Sequence, residues 1–249
     1  MSLQPLAMDA TLFISDLHLS EERPRTVERF FRFLEEDARG ARSLYILGDL
    51  FEYWIGDDDL EDPFNARITR ALAETSRAGV EIVFLHGNRD FLVGDRWAAA
   101  AGARLIPDPT QVELYGAPTL LMHGDTLCLD DKPYQAFRAQ VHDPAYQQQF
   151  LSKPLPERRA LVLSLREQSM RAKEQKSEAI MDVTPAAVEE VLRRHGYPRL
   201  IHGHTHRPAR HLHRVDGRFC ERWVLTDWDE GRGGFLRVDA SGCRAVALH

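Results

Sequence analysis

The chain has 249 residues, of which 43% are hydrophobic and 28% charged, as in a soluble globular domain with or without an insertion. Its formal charge of −6 argues against a protein that coats nucleic acid. No apolar run approaches the roughly 20 residues of a membrane-spanning helix, and the first residues lack the basic start and apolar core of a signal peptide. The 3 scattered cysteines fit a reducing compartment. Composition therefore predicts a soluble cytosolic domain.

Short apolar runs alternate with helical patterns along the first half of the chain. The apolar runs are residues 12–14, 44–47, 82–85, 120–122 and 200–201. Between the first three, apolar residues at helical spacing predict amphipathic helices around 27–34 and 68–72. This order predicts an α/β layered domain whose strands are buried on both faces. After about Phe219 the sequence predicts strands and turns.

One segment, from about Asp131 to Asp182, contains no strand-like run. Within it, residues 158–180 are predicted as one long helix. Four of its residues are spaced for a shared apolar face: Leu161, Leu165, Ala172 and Ala179. We therefore expect a core of residues 1–130 and 183–249, and an inserted helical lid of residues 131–182, because insertions of this length usually serve as lids or binding elements.

Polar residues of a few kinds follow each apolar run. In chain order they are Asp16 and His18, Asp49, Asn88 and Arg89, His123, and His204 and His206. Because sites in open α/β sheets form outside the carboxyl ends of the strands, these side chains should meet in one crevice. Carboxylate, imidazole and amide ligands without thiolates suit Mn²⁺, Fe²⁺, Co²⁺ or Zn²⁺. A pair of such ions would favour phosphoryl displacement, with Arg89 neutralising charge on the phosphorus-bound oxygens. Taken singly, each of these residues could equally be a turn or capping residue.

The whole set resembles a known signature. The motifs Asp16-x-His18, Gly48-Asp49, Gly87-Asn88-Arg89, His123-Gly124-Asp125 and Gly203-His204-x-His206 resemble those of the calcineurin-like metallophosphoesterases. The resemblance implies an αββα sandwich, in which two stacked sheets are flanked by helices, with a binuclear metal centre at the strand ends. It implies a first ion held by Asp16, His18, Asp49 and His206. It implies a second ion held by Asp49 as the bridge, Asn88, His123 and His204.

Longer motifs narrow the resemblance to the UDP-2,3-diacylglucosamine pyrophosphohydrolase family of lipid A biosynthesis. They are residues 15–19, 48–58, 86–91, 123–125 with Cys128, Asp130, Asp131 and Tyr134, then 180–183 and 202–208. The resemblance implies that water attacks the α-phosphorus of the UDP-linked diacylglucosamine lipid, giving UMP and 2,3-diacylglucosamine 1-phosphate. It also implies two Mn²⁺ ions as cofactors and a peripheral position on the cytoplasmic face of the inner membrane.

The resemblance further assigns roles to individual residues. Asn88 and Arg89 would be catalytic. The substrate contacts would be Asn88, Arg89, Asp131, Ser169, Lys173, Lys176 and His204, with Tyr134 as a weaker candidate. The long helix supports this, because Arg166, Ser169, Lys173 and Lys176 are spaced for one polar, basic face. A solvated charged face is the alternative for such a helix.

Two other functions remain open at this point. A metallophosphoesterase acting on a soluble nucleotide pyrophosphate or phosphodiester would share every metal ligand. The other is a non-catalytic scaffold that keeps the fold but has lost the metals. In such a protein we expect other residue types at the ligand positions, whereas every expected ligand type is present here. Among the remaining features, Asp57–Asp59 are predicted as a solvated turn in preference to a third metal site. His202 is predicted to pack at a strand end or to support the ligands.

Overall fold

The structure, a computed structural model, describes residues 9–174 and 182–248, and the side chains of all of these except 167–174. The strands in this part of the chain are β1 (Thr11–Ile14), β2 (Ser43–Leu47), β3 (Glu81–Leu85), β4 (Ala103–Ile106), β5 (Thr110–Leu114), β6 (Ala117–Leu121), β7 (Arg199–His202), β8 (Ala209–Val215), β9 (Arg218–Val224), β10 (Gly234–Asp239) and β11 (Gly242–Ala247). The α-helices are α1 (Pro24–Glu36), α2 (Pro63–Arg77), α3 (Asp95–Ala101), α4 (Lys132–Val141), α5 (Pro144–Leu151), α6 (Leu155–Glu174) and α7 (Pro185–Arg194).

The strands form two mixed sheets. The first has the order β11-β10-β1-β2-β3-β4, and the second has the order β5-β6-β7-β9-β8. Strands β1 to β4 run parallel to each other, with Phe13 opposite Tyr45 in the β1–β2 register. In the second sheet β6, β7 and β9 are parallel. The parallel strands therefore deliver their carboxyl ends to one edge of each sheet.

Alternating side chains along the strands produce four layers. In β1, Leu12 and Ile14 pack in the core that includes residues of α1, α2 and α3, whereas Phe13 packs in the core shared with the second sheet. In β6, Leu121 belongs to that shared core, and Leu120 packs with α7 on the outer side. This alternation follows from the two-residue period of a strand. The predicted αββα sandwich, with strands buried on both faces, is confirmed.

The lid helices α4, α5 and α6 lie in the connection between the parallel neighbours β6 and β7. Aspartate side chains cap the first two: Asp131 accepts from the Tyr134 amide, and Asp143 from the Tyr146 amide. Capping of this kind satisfies amides that have no partner within the helix. No helix in the described ranges is long and apolar enough to cross a membrane.

The prediction that Leu161 belongs to a buried apolar face of the long helix is wrong, because this residue is 43% exposed. The inward residues of α6 are instead Arg158, which is only 2% exposed, and Val162 and Leu165, which line a cavity. The buried arginine decides the orientation of the helix, because its guanidinium donates to the Ile55 carbonyl and to the Asp58 carboxylate. The helix begins at Leu155, earlier than predicted. Of the predicted face, Ala179 lies outside the described residues and the side chain of Ala172 is not described.

The prediction of a solvated turn at Asp57–Asp59 is confirmed for the turn itself and for Asp58, which is 50% exposed, but it is wrong for Asp59, which is buried. These residues form a 3₁₀ turn whose carboxylates are engaged with the rest of the chain. Asp57 accepts from the amides of Gly94 (2.9 Å) and Trp97 (3.0 Å), which lie at the start of α3. Asp58 and Asp59 pair with Arg158 and Arg159 of α6. The turn therefore joins the core to the lid.

Candidate metal centre and substrate cavity

All predicted metal ligands lie at the carboxyl ends of strands, where the loops of the two sheets meet. They follow β1 (Asp16, His18), β2 (Asp49), β3 (Asn88), β6 (His123) and β7 (His204, His206). Backbone hydrogen bonds fix these loops to one another. The amide of Asp16 donates to the Gly48 carbonyl, the amide of His18 to the Asp49 carbonyl, and the amide of Gly203 to the His123 carbonyl.

The backbone at this edge is strained. Eight non-glycine residues in the described part of the chain have a positive φ, and five of them are predicted ligands. These are Asp16 (56°), His18 (48°), Asp49 (53°), His204 (68°) and His206 (55°). A left-handed conformation costs a non-glycine residue about 1–2 kcal/mol. Such strain concentrates at functional sites, where the surrounding structure enforces it.

One group of donor atoms comes from Asp16, His18 and His206, and its atoms lie within 4.8 Å of one another. The Nε2 atoms of the two histidines are 3.3 Å apart. The Asp16 carboxylate is fully buried and is oriented by the Ser15 hydroxyl at 2.5 Å and by the His204 amide at 2.9 Å. These are three of the four residues predicted for the first ion, and donor atoms of Asp16 lie within the same distance of Asp49 and His123.

A second group centres on the amide oxygen of Asn88. It lies 3.0 Å from His123 Nε2 and 2.9 Å from His204 Nδ1. Asp49 touches both groups, since its Oδ1 is 3.7 Å from His123 Nε2 and its Oδ2 is 3.8 Å from His18 Nε2. The geometry therefore suits a carboxylate that bridges two ions.

Hydrogen bonds on the far side of the rings select the nitrogen that faces the centre. His123 Nδ1–H donates to the Leu47 carbonyl at 2.9 Å, which leaves the Nε2 lone pair for a ligand. His206 Nδ1 lies 3.5 Å from the Asp227 carboxylate, and its Nε2 lies 3.5 Å from Asp16. Orientation of this kind is typical of metal-binding histidines.

The electrostatics of the centre fit a cation. Burial raises the pKa of Asp49 to about 7. Burial would lower the pKa of His123, but the charges of Asp49 and Asp16 outweigh it and raise that pKa to about 9. Burial lowers the pKa of His204 to about 3. Burial penalises the Asp16 charge, yet the neighbouring His206 and His123 hold its pKa far below the usual range. In the metal-free chain these carboxylates therefore favour a positive charge on His123, and a divalent cation that displaced this proton would meet the carboxylate, imidazole and amide donors that such ions bind.

Five of the predicted ligands line a cavity of about 620 Å³, a volume typical of small-molecule sites: His18, Asp49, Asn88, His204 and His206. Another part of the wall is apolar and comes largely from the lid: Phe91, Leu92, Phe137, Val141, Phe150, Val162 and Leu165. Polar side chains also line it: Arg89, Asp131, Tyr134, Arg166 and Arg207. The cavity therefore joins a polar centre to an apolar chamber.

The predicted substrate contacts fall into two sets. Arg89, Asp131 and Tyr134 line the cavity, and the Tyr134 ring lies 5.7 Å from the His204 ring, centroid to centroid. Ser169 and Lys173 lie on α6 beyond the described side chains, and Lys176 lies outside the described residues. Arg166, from the same predicted face, does line the cavity. His202 is buried and accepts from Arg222, in keeping with the predicted packing role.

No role was predicted for four carboxylates that lie around the centre. Asp90 accepts from the amides of Asp49 and Gly87. Asp125 accepts from the Tyr134 hydroxyl (2.7 Å) and from Arg138 (2.5 Å). Glu52 and Asp227 face the ligand histidines of the first group. Asp125 ends the motif His123-Gly124-Asp125, Asp90 directly follows Gly87-Asn88-Arg89, and Glu52 lies within the motif of residues 48–58, whereas Asp227 carries no such local signal.

Comparison with known proteins agrees with this geometry. The family model for calcineurin-like phosphoesterases matches residues 10–208, and the chain belongs to that family. A relative from Aromatoleum aromaticum is 54% identical over 233 residues, which cover 94% of each chain. One from Stenotrophomonas maltophilia is 53% identical over 239 residues, covering 93% of this chain and 96% of its own. One from Chromohalobacter salexigens is 52% identical over 229 residues, covering 92% and 93%. All three relatives are named UDP-2,3-diacylglucosamine hydrolase.

Proposed function

We propose that this chain hydrolyses the pyrophosphate bond of UDP-2,3-diacylglucosamine in lipid A biosynthesis, giving UMP and 2,3-diacylglucosamine 1-phosphate. The observation that carries the proposal is the cavity of about 620 Å³, which is lined both by five of the proposed metal ligands and by apolar side chains of the lid. A diacyl sugar linked to a nucleotide needs both parts, since its pyrophosphate is polar and its acyl chains are not. The names of the relatives support the same substrate.

The metal centre would hold two Mn²⁺ ions. The first position is assigned to Asp16, His18, Asp49 and His206, and the second to Asp49, Asn88, His123 and His204. When bound, two such ions supply Lewis acidity and bring the pKa of water at the centre toward neutrality. The chain keeps the ligands in place through buried hydrogen bonds, so little reorganisation is needed when the substrate arrives.

Arg89 and Asn88 are the proposed catalytic residues. The Arg89 backbone amide donates to Asp49 Oδ1 at 2.8 Å, so the residue is tied to the bridging carboxylate while its side chain lines the cavity. A guanidinium in that position would neutralise charge on the phosphoryl oxygens during attack at the α-phosphorus. Asn88 and His204 would contact the same phosphoryl group, because their side chains meet 2.9 Å apart at the centre.

The lid of residues 131–182 is proposed to bind the rest of the substrate, while residues 1–130 and 183–249 form the catalytic core. The apolar side chains of α4, α5 and α6 in the cavity would hold acyl chains. Asp131, at the start of α4, would contact the glucosamine phosphate. We assign the same role to Ser169, Lys173 and Lys176, which continue the helical spacing of Arg166.

The lid also supports a peripheral position on the cytoplasmic face of the inner membrane. Several large apolar side chains between the end of β6 and the middle of α6 are about 40% exposed: Leu129, Phe137, Leu151, Leu161 and Leu163. Exposed apolar side chains of this kind are suited to contact with a bilayer surface. Binding to vesicles of anionic lipid, measured by flotation, would test this location.

The proposed reaction can be tested with metal-stripped protein in water enriched in ¹⁸O. We expect release of UMP from UDP-2,3-diacylglucosamine only after Mn²⁺ is added, with ¹⁸O in the UMP, because water attacks the α-phosphorus. Label in the sugar phosphate would contradict attack at that atom. The variants His206→Ala and Asn88→Ala should remain folded and lose activity.

Assays of the same protein on two substrates distinguish the lipid from the alternative class of soluble substrates. Metal-dependent cleavage of a small soluble phosphodiester, with no turnover of the lipid, would support a soluble nucleotide pyrophosphate or phosphodiester as the natural substrate. A wild-type chain that binds no metal and cleaves neither substrate would support a scaffold function.

A further inference from the structure

Glu52 lies between a predicted metal ligand and the lid. Its Oε2 is 3.7 Å from His18 Nδ1, and its Oε1 forms an ion pair with Arg166 Nε on α6, at 3.0 Å. The carboxylate is 13% exposed, and the Glu52 amide donates to the Leu19 carbonyl, one residue after His18. Both its backbone and its side chain are therefore fixed beside the His18 loop.

The orientation of His18 gives this carboxylate a role. His18 Nε2 faces the centre, 3.3 Å from His206 Nε2, so Nδ1 is the nitrogen on the side of Glu52. A histidine that binds a metal commonly donates its second N–H to a carboxylate, which fixes the tautomer and the ring orientation. Glu52 is placed to accept that proton and so to present the Nε2 lone pair to the first ion.

Arg166 connects this arrangement to the lid. Its guanidinium is held by Glu52 and lies 5.8 Å from the centroid of the Tyr53 ring. The position of α6 is set nearer its start, where Arg158 pairs with Asp58. A displacement of α6 would therefore withdraw the cation that fixes the Glu52 carboxylate.

The other histidine of the first group has a matching arrangement within the core. Asp227 lies 3.5 Å from His206 Nδ1 and accepts from Arg232 at 2.5 Å. Both Asp227 and Arg232 lie between β9 and β10, far along the chain from the lid. The carboxylate behind His18 is thus paired with an arginine of the lid, whereas the carboxylate behind His206 is paired with an arginine of the core. Arg232 is therefore the matched control for Arg166.

We infer that Glu52 is a positioning residue through which Arg166 of the lid controls the affinity of the first metal position. The inference rests on the metal centre of the proposed function. The Arg166 guanidinium fixes one carboxylate oxygen, and the other oxygen orients His18. A seated lid therefore holds the first ion more tightly than a displaced one.

The test is a titration of the metal-free chain with Mn²⁺ in the absence of substrate, with free Mn²⁺ measured by electron paramagnetic resonance. Glu52→Gln should weaken binding of one of two ions about 10- to 100-fold, the usual effect of losing a carboxylate behind a ligand histidine. Arg166→Met should weaken the same ion less. The double variant should bind like Glu52→Gln alone, because Arg166 acts through Glu52.

Arg232→Met combined with Glu52→Gln should instead show additive losses, since the two changes act on different histidines. Excess Mn²⁺ should restore turnover in Glu52→Gln, a rescue that a misfolded variant would not show. Unchanged binding in Glu52→Gln, or additive losses with Arg166→Met, would overturn the inference while leaving the metal centre intact. A wild-type chain without two Mn²⁺ sites would overturn the proposed function as well.

Discussion

Asp90 holds together the two loops that carry Asp49 and Asn88, and its replacement gives the sharpest test of how the centre is built. Its Oδ1 accepts from the amides of Gly87 (2.8 Å) and Asp49 (3.2 Å). Its Oδ2 accepts from the amides of Leu50 (2.8 Å) and Phe51 (3.4 Å). The side chain is fully buried, and burial raises its pKa.

The substitution Asp90→Asn keeps the shape of the side chain and replaces one oxygen by an NH₂ group. Whichever oxygen is replaced, two backbone donors then face another donor. Each unsatisfied buried group costs about 1–3 kcal/mol. Removal of a buried charge offsets part of that loss, so we expect a net loss of about 2–4 kcal/mol in the free energy of unfolding. For a chain of 249 residues, a loss of this size corresponds to a fall in Tm of about 4–16 °C.

The measurement is urea unfolding of the metal-free chain, followed by circular dichroism. The control is Asp216→Asn, the same chemical change at a carboxylate that is 47% exposed and binds Arg193 and Tyr197. Exposed pairs of this kind contribute less than about 1 kcal/mol. Equal losses in the two variants would refute the role of Asp90 as the tie between the loops.

Two further substitutions test the centre and the cavity. Gly203→Ala would bring a Cβ within 2.3 Å of Asp16 Oδ2, so it should displace that ligand and weaken Mn²⁺ binding about tenfold or more in a metal titration. Gly231→Ala, whose Cβ would approach nothing closer than 3.6 Å, should bind as the wild type does. Val162→Trp should fill part of the cavity and lower kcat/KM on the lipid substrate about tenfold while a small soluble phosphodiester is still cleaved. Leu163→Trp, at the exposed neighbour on α6, is the control for that change.

Each control makes its prediction refutable. Equal Mn²⁺ affinities in Gly203→Ala and Gly231→Ala would show that Asp16 is not a ligand or tolerates displacement. Equal kcat/KM values in Val162→Trp and Leu163→Trp, measured in detergent micelles, would show that the apolar chamber does not receive the substrate.

Much of the fold could be read from local patterns. The short apolar runs became buried strands, for example Leu44–Leu47 within β2, because a strand covered on both faces has no polar side to interrupt it. The proposed ligands were found for a related reason. Polar residues that directly follow buried strands lie at one sheet edge wherever parallel strands pair, and the paired registers of β1, β2 and β3 meet that condition.

The apolar face of α6 could not be predicted from its hydrophobic spacing. Leu161 fits an apolar stripe, yet it is exposed, while the charged Arg158 is buried against Asp58. A pattern of apolar residues carries no information about the ion pair that holds the buried Arg158, because its partner Asp58 lies 100 residues away along the chain. For the same reason the pairing of Asp58 and Asp59 with α6 could not be predicted.

By itself, the sequence determined the layered α/β class, the order of the buried strands and the kinds of donor at their ends, since each depends on residues close together in the chain. The tertiary structure decided which nitrogen of each histidine faces the centre, and which carboxylates stand behind His18 and His206. It also decided that Arg166 reaches Glu52. These features depend on distances between side chains from separate elements, and those distances are set only when the sheets and the lid pack together.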